Sequence, residues 1–212
     1  MNRTVTSFFD KEYLEYAKYV VENRAIPSCI DGLKPTQRKV VYIANKIWKT
    51  GNEKPMKLFQ LAGRVAAEAF YHHGNTSLES SMVGMAQKFK NSLPLLEGIG
   101  QFGSLRSPAA GAPRYISAKL HPNFRLLYQD FELLGNKIEE GEKIEPEYFL
   151  PIVPTVILNG TSGIAVGFAT NILNRNPMDV VNACIAEVNG RRMKTLTPWV
   201  KEFRGTFTRD TE

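Results

Sequence analysis

Apolar residues recur at helical spacing in four stretches of the first part of the chain. The spacing predicts helices over residues 10–22, 37–49, 56–71 and 75–89. Asp10, Thr36 and Asn75 stand where three of these helices begin, and such side chains cap helix N-termini. Prolines and glycines between the helices predict loops over residues 25–35 and 51–55.

Extended segments follow these helices. Glycines at positions 98, 100 and 103 surround one short extended stretch, and residues 114–120 alternate as a strand does. Helices at close quarters followed by a glycine-rich β ribbon predict an α+β fold, in which a helix-turn-helix core carries a β wing.

The remaining residues mix both patterns. Residues 123–134 and 177–188 are predicted helices, the second with proline at its start. Residues 148–158 are apolar and β-branched and predict a strand despite two prolines, and residues 199–207 predict another. Residues 138–147 are acidic and are expected to form an exposed loop.

The charge is unevenly distributed along an otherwise ordinary globular composition. The chain has 27 lysine and arginine residues against 21 aspartate and glutamate residues, a net charge of +6. Residues 1–130 hold 18 basic and ten acidic side chains, whereas residues 131–212 hold nine basic and eleven acidic ones. A basic first part favours contact with a polyanion, and the alternative is a charge distribution without function.

The two cysteines, Cys29 and Cys184, are far apart and match no metal-ligand spacing, which favours a reducing compartment. The most apolar stretch, residues 151–173, is interrupted by polar residues and glycines, so no membrane span is predicted. We therefore expect a soluble cytoplasmic protein without an N-terminal signal segment.

A basic cluster surrounds the start of the second predicted helix. Its members are cationic or amide side chains: Arg24, Lys34, Gln37, Arg38 and Lys39. Helix N-termini attract phosphate, and arginine and lysine add charge-assisted hydrogen bonds, so the cluster can hold a nucleic-acid backbone. The alternative is a solvated basic face.

His72 and His73 follow Tyr71 at a predicted helix end. Adjacent histidines do not share a helix face, which excludes a metal site built on one-turn spacing. A contact to phosphate is one interpretation, and a histidine satisfied within the core is the other.

Arg114 and Tyr115 form a pair that can carry nucleophilic chemistry. A tyrosine hydroxyl has an ordinary pKa near 10 and is a weak nucleophile, but a neighbouring guanidinium favours the phenolate and neutralises a phosphate under attack. A buried structural tyrosine is the alternative.

Residues 160–167 hold several glycines but lack the spacing and lysine of a nucleotide-binding loop. Such a turn can present Ile164 as an apolar wedge between DNA base steps, or bury it in the core. The glutamates of residues 139–147 are expected to be solvated rather than to bind metal.

Taken in order, these motifs resemble the type IIA DNA topoisomerases, in the subunit or region that breaks and rejoins DNA. The matching strings span nearly the whole chain: Arg24-Ala25-Ile26-Pro27, Asp31-Gly32-Leu33-Lys34-Pro35, Gln37-Arg38-Lys39, Tyr71-His72-His73-Gly74, Gly100-Gln101-Phe102-Gly103-Ser104, Pro113-Arg114-Tyr115-Ile116, Pro151-Ile152-Val153-Pro154, Ser162-Gly163-Ile164-Ala165-Val166-Gly167 and Phe203-Arg204-Gly205.

The resemblance implies a role for each matching position. Tyr115 would form the phosphotyrosyl link to a DNA 5′ end, Arg114 would steady the phosphate, and Ile164 would bend the DNA. The remaining implied contacts are to DNA phosphates, from Arg24, Lys34, Gln37, Arg38, Lys39, His72 and His73. Gln37 stands where bacterial members have histidine, which weakens its assignment.

The resemblance also implies partners. Mg²⁺ and ATP would be bound by a partner chain or domain, no metal site is expected in this chain, and two copies would cut opposite strands of a DNA duplex. The Tyr-His-His-Gly and Pro-Arg-Tyr-Ile strings are similar to eukaryotic and phage members. With Met1 just before the first helix, they suggest a phage or viral medium subunit.

The expected organisation is a winged-helix cleavage domain over residues 1–125, followed over residues 126–212 by the beginning of an α/β tower domain. We expect a chain that stops early in the tower. The alternative functions are a non-enzymatic winged-helix module that binds bent DNA without cutting it, and an unrelated helix-turn-helix regulator, which leaves the motifs after residue 100 unexplained.

Overall fold

A long helical segment opens the computed structural model, which describes residues 5–50 and 54–208. The segment runs without a break through α1, a π-helical turn, α2 and a second π-helical turn, with bounds Val5–Phe8, Phe9–Tyr13, Leu14–Val20 and Val21–Ala25. The helix predicted over residues 10–22 is confirmed. Asp10 lies inside the first π turn, however, so its predicted capping role is wrong.

Three helices form the centre of the molecule, as predicted: α3 Pro35–Ile47, α4 Leu58–Glu68 and α5 Asn75–Ala86. Proline at the first position of α3 leaves no unpaired N–H and has the backbone angle that a helix needs. The residues before α3 and α5 are Lys34 and Gly74, so Thr36 and Asn75 lie one or two positions inside their helices. The Gln37 side chain accepts a hydrogen bond from the Lys34 amide at 2.9 Å.

A three-stranded antiparallel sheet packs beside these helices. Its strands lie in the order β1, β3, β2, with bounds Met56–Lys57, Ser117–Leu120 and Leu96–Ile99. Strand β3 begins three residues later than predicted, which leaves Tyr115 in a turn before the strand. The three helices and this sheet confirm the α+β fold class. This set of elements is consistent with a winged helix.

The core joins the helices, the sheet and part of the chain beyond residue 125. Val40, Leu61, Leu78 and Leu96 have no exposed surface, and each contributes about 1.5–3 kcal/mol by leaving water. Aromatic side chains extend the same core, namely Trp48, Phe124, Tyr128 and Phe149. The predicted boundary between residues 125 and 126 therefore falls within one continuous core, and the division into two domains stays a prediction.

Beyond the sheet, α6 Asn123–Leu127 and a 3-10 turn Phe131–Leu133 replace the single predicted helix. The acidic stretch that follows is a hairpin of β4 Asn136–Glu139 and β5 Glu142–Pro146. Glu145 on this hairpin is fully buried, which corrects the expectation of an exposed loop throughout.

The predicted strand over residues 148–158 is wrong. Prolines remove the N–H donors that a strand needs, and the segment instead ends in a short helix, α7 Thr155–Leu158. A second hairpin follows, of β6 Thr161–Ile164 and β7 Ala169–Ile172.

The helix predicted near the end of the described chain is confirmed as α8, Pro177–Val188, and the Asn176 side chain caps it by accepting from the Met178 amide at 2.9 Å. The strand predicted over residues 199–207 is wrong, and a single bridge between Arg175 and Pro198 lies just before this segment. Within the described residues, no helix is both long and apolar enough to cross a bilayer.

A buried ion pair joins three parts of the fold. The carboxylate of Asp31 accepts two hydrogen bonds from the Arg38 guanidinium, at 2.7 and 3.1 Å, and one each from the amides of Leu33 and Phe149. The Asp31 carbonyl accepts from the hydroxyls of Tyr128 and Thr155. Burial raises the pKa of the Tyr128 hydroxyl, so it stays a donor at neutral pH.

Replacing Asp31 by alanine is expected to lower the free energy of unfolding by about 3–5 kcal/mol, because the buried Arg38 charge loses its partner. Urea denaturation of the variant and the wild type measures the difference. Asp130→Ala is the matched control, since Asp130 is exposed, and a change within about 0.5 kcal/mol is expected there. Equal losses in the two variants would contradict the structural role of the Asp31 pair.

Candidate active site

Tyr115 lies in a turn on the protein surface. Its amide donates to the Ala112 carbonyl at 2.9 Å, and its side chain is 69% exposed. The guanidinium carbon of Arg114 lies 5.0 Å from the centroid of the Tyr115 ring, within the range of a cation–π contact. The structure thus brings together the predicted nucleophile and the predicted cation, and it leaves the tyrosine accessible to a large ligand.

The Gln87 side chain holds the loop that leads to Tyr115 by hydrogen bonds to its main chain. This side chain is 2% exposed, and its amide nitrogen donates to the carbonyls of Phe102 and Pro108 at 2.8 and 2.9 Å. Gly103 has a φ of +81°, and a Cβ there would meet the Pro108 carbonyl oxygen at 2.6 Å. Both residues therefore fold the loop back on itself in one conformation.

Sequence reasoning missed Gln87. The available signal was a polar side chain directly after α5, next to the buried residues Met85 and Ala86. A polar side chain at such a position needs hydrogen-bond partners, and the glycine-rich loop downstream supplies carbonyl groups.

Ile164 is presented by the β6–β7 hairpin. The side chain ends β6 and is 85% exposed, which favours the wedge interpretation over core packing. Its neighbour Gly163 lies against the main chain of Ala25, where a Cβ would overlap the carbonyl oxygen and approach the Lys34 ammonium nitrogen at 3.3 Å. The absence of a side chain at position 163 lets the hairpin pack beside Ala25 and Lys34.

A cleft of about 740 Å³ lies between α3, α5 and this hairpin. Lys34 and Gln37 line it together with hydroxyl and amide side chains, namely Ser77, Ser80, Ser81, Asn91, Thr161, Ser162, Asn171 and Asn174. Burial lowers the pKa of the Lys34 ammonium. Arg24 is exposed beside Ala25, so two of the predicted phosphate contacts are near the hairpin that carries Ile164.

Two members of the predicted basic cluster form ion pairs within the protein. Arg38 is buried in its ion pair with Asp31. The Lys39 ammonium donates to the Ala69 carbonyl and lies 3.3 Å from Glu145 and 3.5 Å from Glu139. Both charges are paired with carboxylates of the chain, and the phosphate contacts of Arg38 and Lys39 stay predictions.

The two histidines have different surroundings. The Tyr19 hydroxyl lies 3.3 Å from Nε2 of His73, and the Tyr71 ring packs edge-on against the same imidazole. His72 is exposed, and its Nε2 lies 3.8 Å from a carboxylate oxygen of Glu139. The N-terminal helices thus help to orient His73, and the phosphate contacts of both histidines stay predictions.

The described residues include no group of three or more histidine, cysteine, aspartate or glutamate side chains placed to hold a metal ion. Two carboxylates of the acidic hairpin, Glu139 and Glu145, lie against Lys39 instead.

A match to a known protein family identifies the family of this chain. Residues 24–212 match the family of the DNA gyrase/topoisomerase IV A subunit. The chain belongs to this family. The resemblance read from the sequence motifs is thereby confirmed.

Relatives of this chain include a phage protein and a eukaryotic protein. The DNA topoisomerase medium subunit of Enterobacteria phage T4 is 43% identical over 204 residues, which cover 96% of this chain and 46% of the phage protein. The mitochondrial DNA topoisomerase 2 of Dictyostelium discoideum is 42% identical over 215 residues, 98% of this chain and 16% of that protein. The chain therefore spans less than half the length of these relatives.

A solved structure agrees with the fold. A crystal structure of the Plasmodium falciparum topoisomerase II DNA-binding, cleavage and re-ligation domain is 36% identical and superposes with a TM-score of 0.86. The superposition covers 97% of this chain and 28% of that chain.

Gly163→Ala is expected to lower the free energy of unfolding by about 1–3 kcal/mol, because the new methyl group overlaps the Ala25 carbonyl and forces the hairpin away. Urea denaturation measures the change. Gly63→Ala on α4 is the control: a Cβ there meets no atom within 4 Å, and alanine should raise stability by up to about 1 kcal/mol. Effects of the same sign in both variants would count against the packing described for Gly163.

Proposed function

We propose that this chain is the DNA-cleaving and rejoining part of a type IIA topoisomerase, in which Tyr115 attacks the DNA backbone. The observation that carries the proposal is the exposed Tyr115 side chain in a fixed turn with the Arg114 guanidinium against its ring. A structural tyrosine gains stability from burial, whereas this one leaves most of its surface open.

The chemistry follows from the two side chains. The Tyr115 oxygen attacks a backbone phosphorus, the bond from phosphorus to the 3′ oxygen breaks, and a phosphotyrosyl ester forms at the 5′ end. The phenol proton is lost to solvent and the departing 3′ oxygen takes up a proton. Arg114 stabilises negative charge on the phosphate as it is attacked. Because one ester replaces another, the reverse attack by the 3′ hydroxyl reseals the strand without ATP.

The DNA is proposed to run over the face formed by Arg24, Lys34 and the β6–β7 hairpin. Phosphate contacts give affinity without reading sequence, and Ile164 can enter a base step and bend the duplex. Packing of Gly163 beside Ala25 and Lys34 supports this path, because it places the apolar wedge next to the cations.

The proposal assigns Mg²⁺ and ATP to a partner chain or domain. Mg²⁺ would supply Lewis-acid stabilisation of the phosphate, and no step above depends on a metal held by this chain. A second copy would cut the opposite strand. Similarity to the phage medium subunit supports a separate cytoplasmic subunit of that kind, in which Cys29 and Cys184 stay unpaired.

Tyr115→Phe is expected to abolish covalent protein–DNA adducts while DNA binding changes little, because only one hydroxyl is removed from an exposed ring. The assay mixes the complete enzyme, assembled with its partner, with Mg²⁺ and supercoiled plasmid, and then denatures it with detergent. Tyr13 is also an exposed tyrosine, and its ring contacts Phe9. Tyr13→Phe is therefore a matched control that should keep adduct formation. Intact plasmid with the wild-type enzyme at saturating binding would support a non-enzymatic DNA-binding module instead.

Lys34→Met is expected to reduce the salt dependence of DNA binding, lowering the slope of log K against log salt by about 0.9, the value for one phosphate contact. Fluorescence anisotropy with a labelled duplex at several salt concentrations measures the slope. Lys194→Met, an exposed site far along the chain, should leave the slope unchanged. Identical slopes for the wild type and Lys34→Met would remove Lys34 from the proposed DNA path.

A further inference from the structure

Three donors from consecutive residues hold the backbone carbonyls around Tyr115. The Lys57 ammonium donates to the Tyr115 carbonyl at 2.9 Å. The amide of Leu58 donates to the Ile116 carbonyl at 3.1 Å, and the amide of Phe59 donates to the Pro113 carbonyl at 3.4 Å. Residues 113, 115 and 116 are therefore all tied to residues 57–59.

The donors belong to a rigid part of the fold. The first N–H groups of a helix have no partner within it, and here the start of α4 supplies two of them to the turn. The side chains of Leu58 and Leu61 on α4 are fully buried in the core, and Lys57 itself pairs with Ser117 through β1 and β3. The turn that presents the tyrosine thus rests on a helix end that cannot shift without disturbing the core.

Lys57 makes the one bond of the three that comes from a side chain. A charge-assisted hydrogen bond from an ammonium is stronger than one between neutral groups, and it acts on the carbonyl of the tyrosine itself. Fixing that carbonyl fixes the peptide plane from which the Tyr115 side chain and β3 both continue. Productive attack requires the phenol oxygen to be held near and in line with the phosphorus.

We propose that Lys57 is a positioning residue for the cleavage reaction, acting through the Tyr115 carbonyl. The proposal rests on the function proposed for Tyr115. It differs from a DNA contact, because the effect of Lys57 falls on the rate of attack and not on affinity for DNA.

The test compares Lys57→Met and Lys57→Arg in the complete enzyme assembled with its partner and Mg²⁺. Adduct formation is followed by rapid quench at saturating duplex. We expect the methionine variant to react about tenfold more slowly, the scale for losing one charge-assisted hydrogen bond. Its affinity for DNA should change by no more than about twofold, as for loss of one exposed charge. Arginine keeps a cationic donor and should restore most of the rate.

Lys119→Met is the matched control. Lys119 is a lysine of the same sheet whose ammonium pairs with Glu97 at 3.2 Å, away from the turn. Its loss should leave the rate of adduct formation unchanged. A slower rate in both variants would indicate a general effect of charge on the sheet and would overturn the assignment to Lys57.

Hydrogen exchange supplies a readout that does not depend on cutting. The amide of Tyr115 is bonded to Ala112 within the turn, and its exchange should rise in Lys57→Met and return in Lys57→Arg. Weaker DNA binding with an unchanged rate at saturation would make Lys57 a DNA contact and overturn the proposal. If the wild type cuts DNA normally but amide exchange is unchanged in Lys57→Met, only the positioning role of Lys57 is overturned. If the wild type forms no adduct, the function proposed for Tyr115 is overturned as well.

Discussion

The buried Asp31–Arg38 pair is the interaction on which the arrangement of this molecule depends. Removing two charges from water is costly, and the cost is offset only because the carboxylate also binds two backbone amides and the guanidinium also donates to the Leu33 carbonyl. These bonds join the loop before α3 to residues 149–155. Lys34 follows that loop and the β6–β7 hairpin follows that segment, so the ion pair, together with the contact of Gly163 with Ala25, holds the basic residues near Ile164.

The reactive turn is held differently. Tyr115 cannot be fixed by burial, because a polymer must reach it. Backbone carbonyls on either side of it are bonded instead, by Gln87 in the loop and by the start of α4 beneath the turn. Hydrogen bonds to the main chain restrict a loop while leaving its side chains free for a ligand. Exposure and rigidity are therefore compatible here, as a nucleophile that acts on a large substrate requires.

Sequence reasoning locates the helices and the reactive pair better than the charged groups. Regular apolar spacing defines α3 because burial of Val40 and Ile43 forces one face inward. The roles of Arg38 and Lys39 escape such reasoning because their partners are set by tertiary structure. Glu145 lies 106 residues from Lys39 along the chain, and no local pattern links them. The predicted strand over residues 148–158 is wrong because Pro151 and Pro154 cannot donate to a strand ladder, and only Phe149 and Leu158 of its large apolar residues are buried.

The same pairs change how the charge of the chain should be interpreted. The excess of basic residues before residue 131 includes Arg38 and Lys39, and both are neutralised by carboxylates, one of them on the acidic hairpin β4–β5. Some of the acidic residues in the second part of the chain are therefore not free surface charges. They form ion pairs with basic residues of the first part. What remains for a polyanion is a smaller set of exposed or cleft-lining cations, of which Arg24 and Lys34 lie near the wedge and Arg114 lies beside the tyrosine. A strong field at the site does not require a strongly basic protein, because the placement of a few charges beside a low-dielectric surface decides their effect on a nearby phosphate.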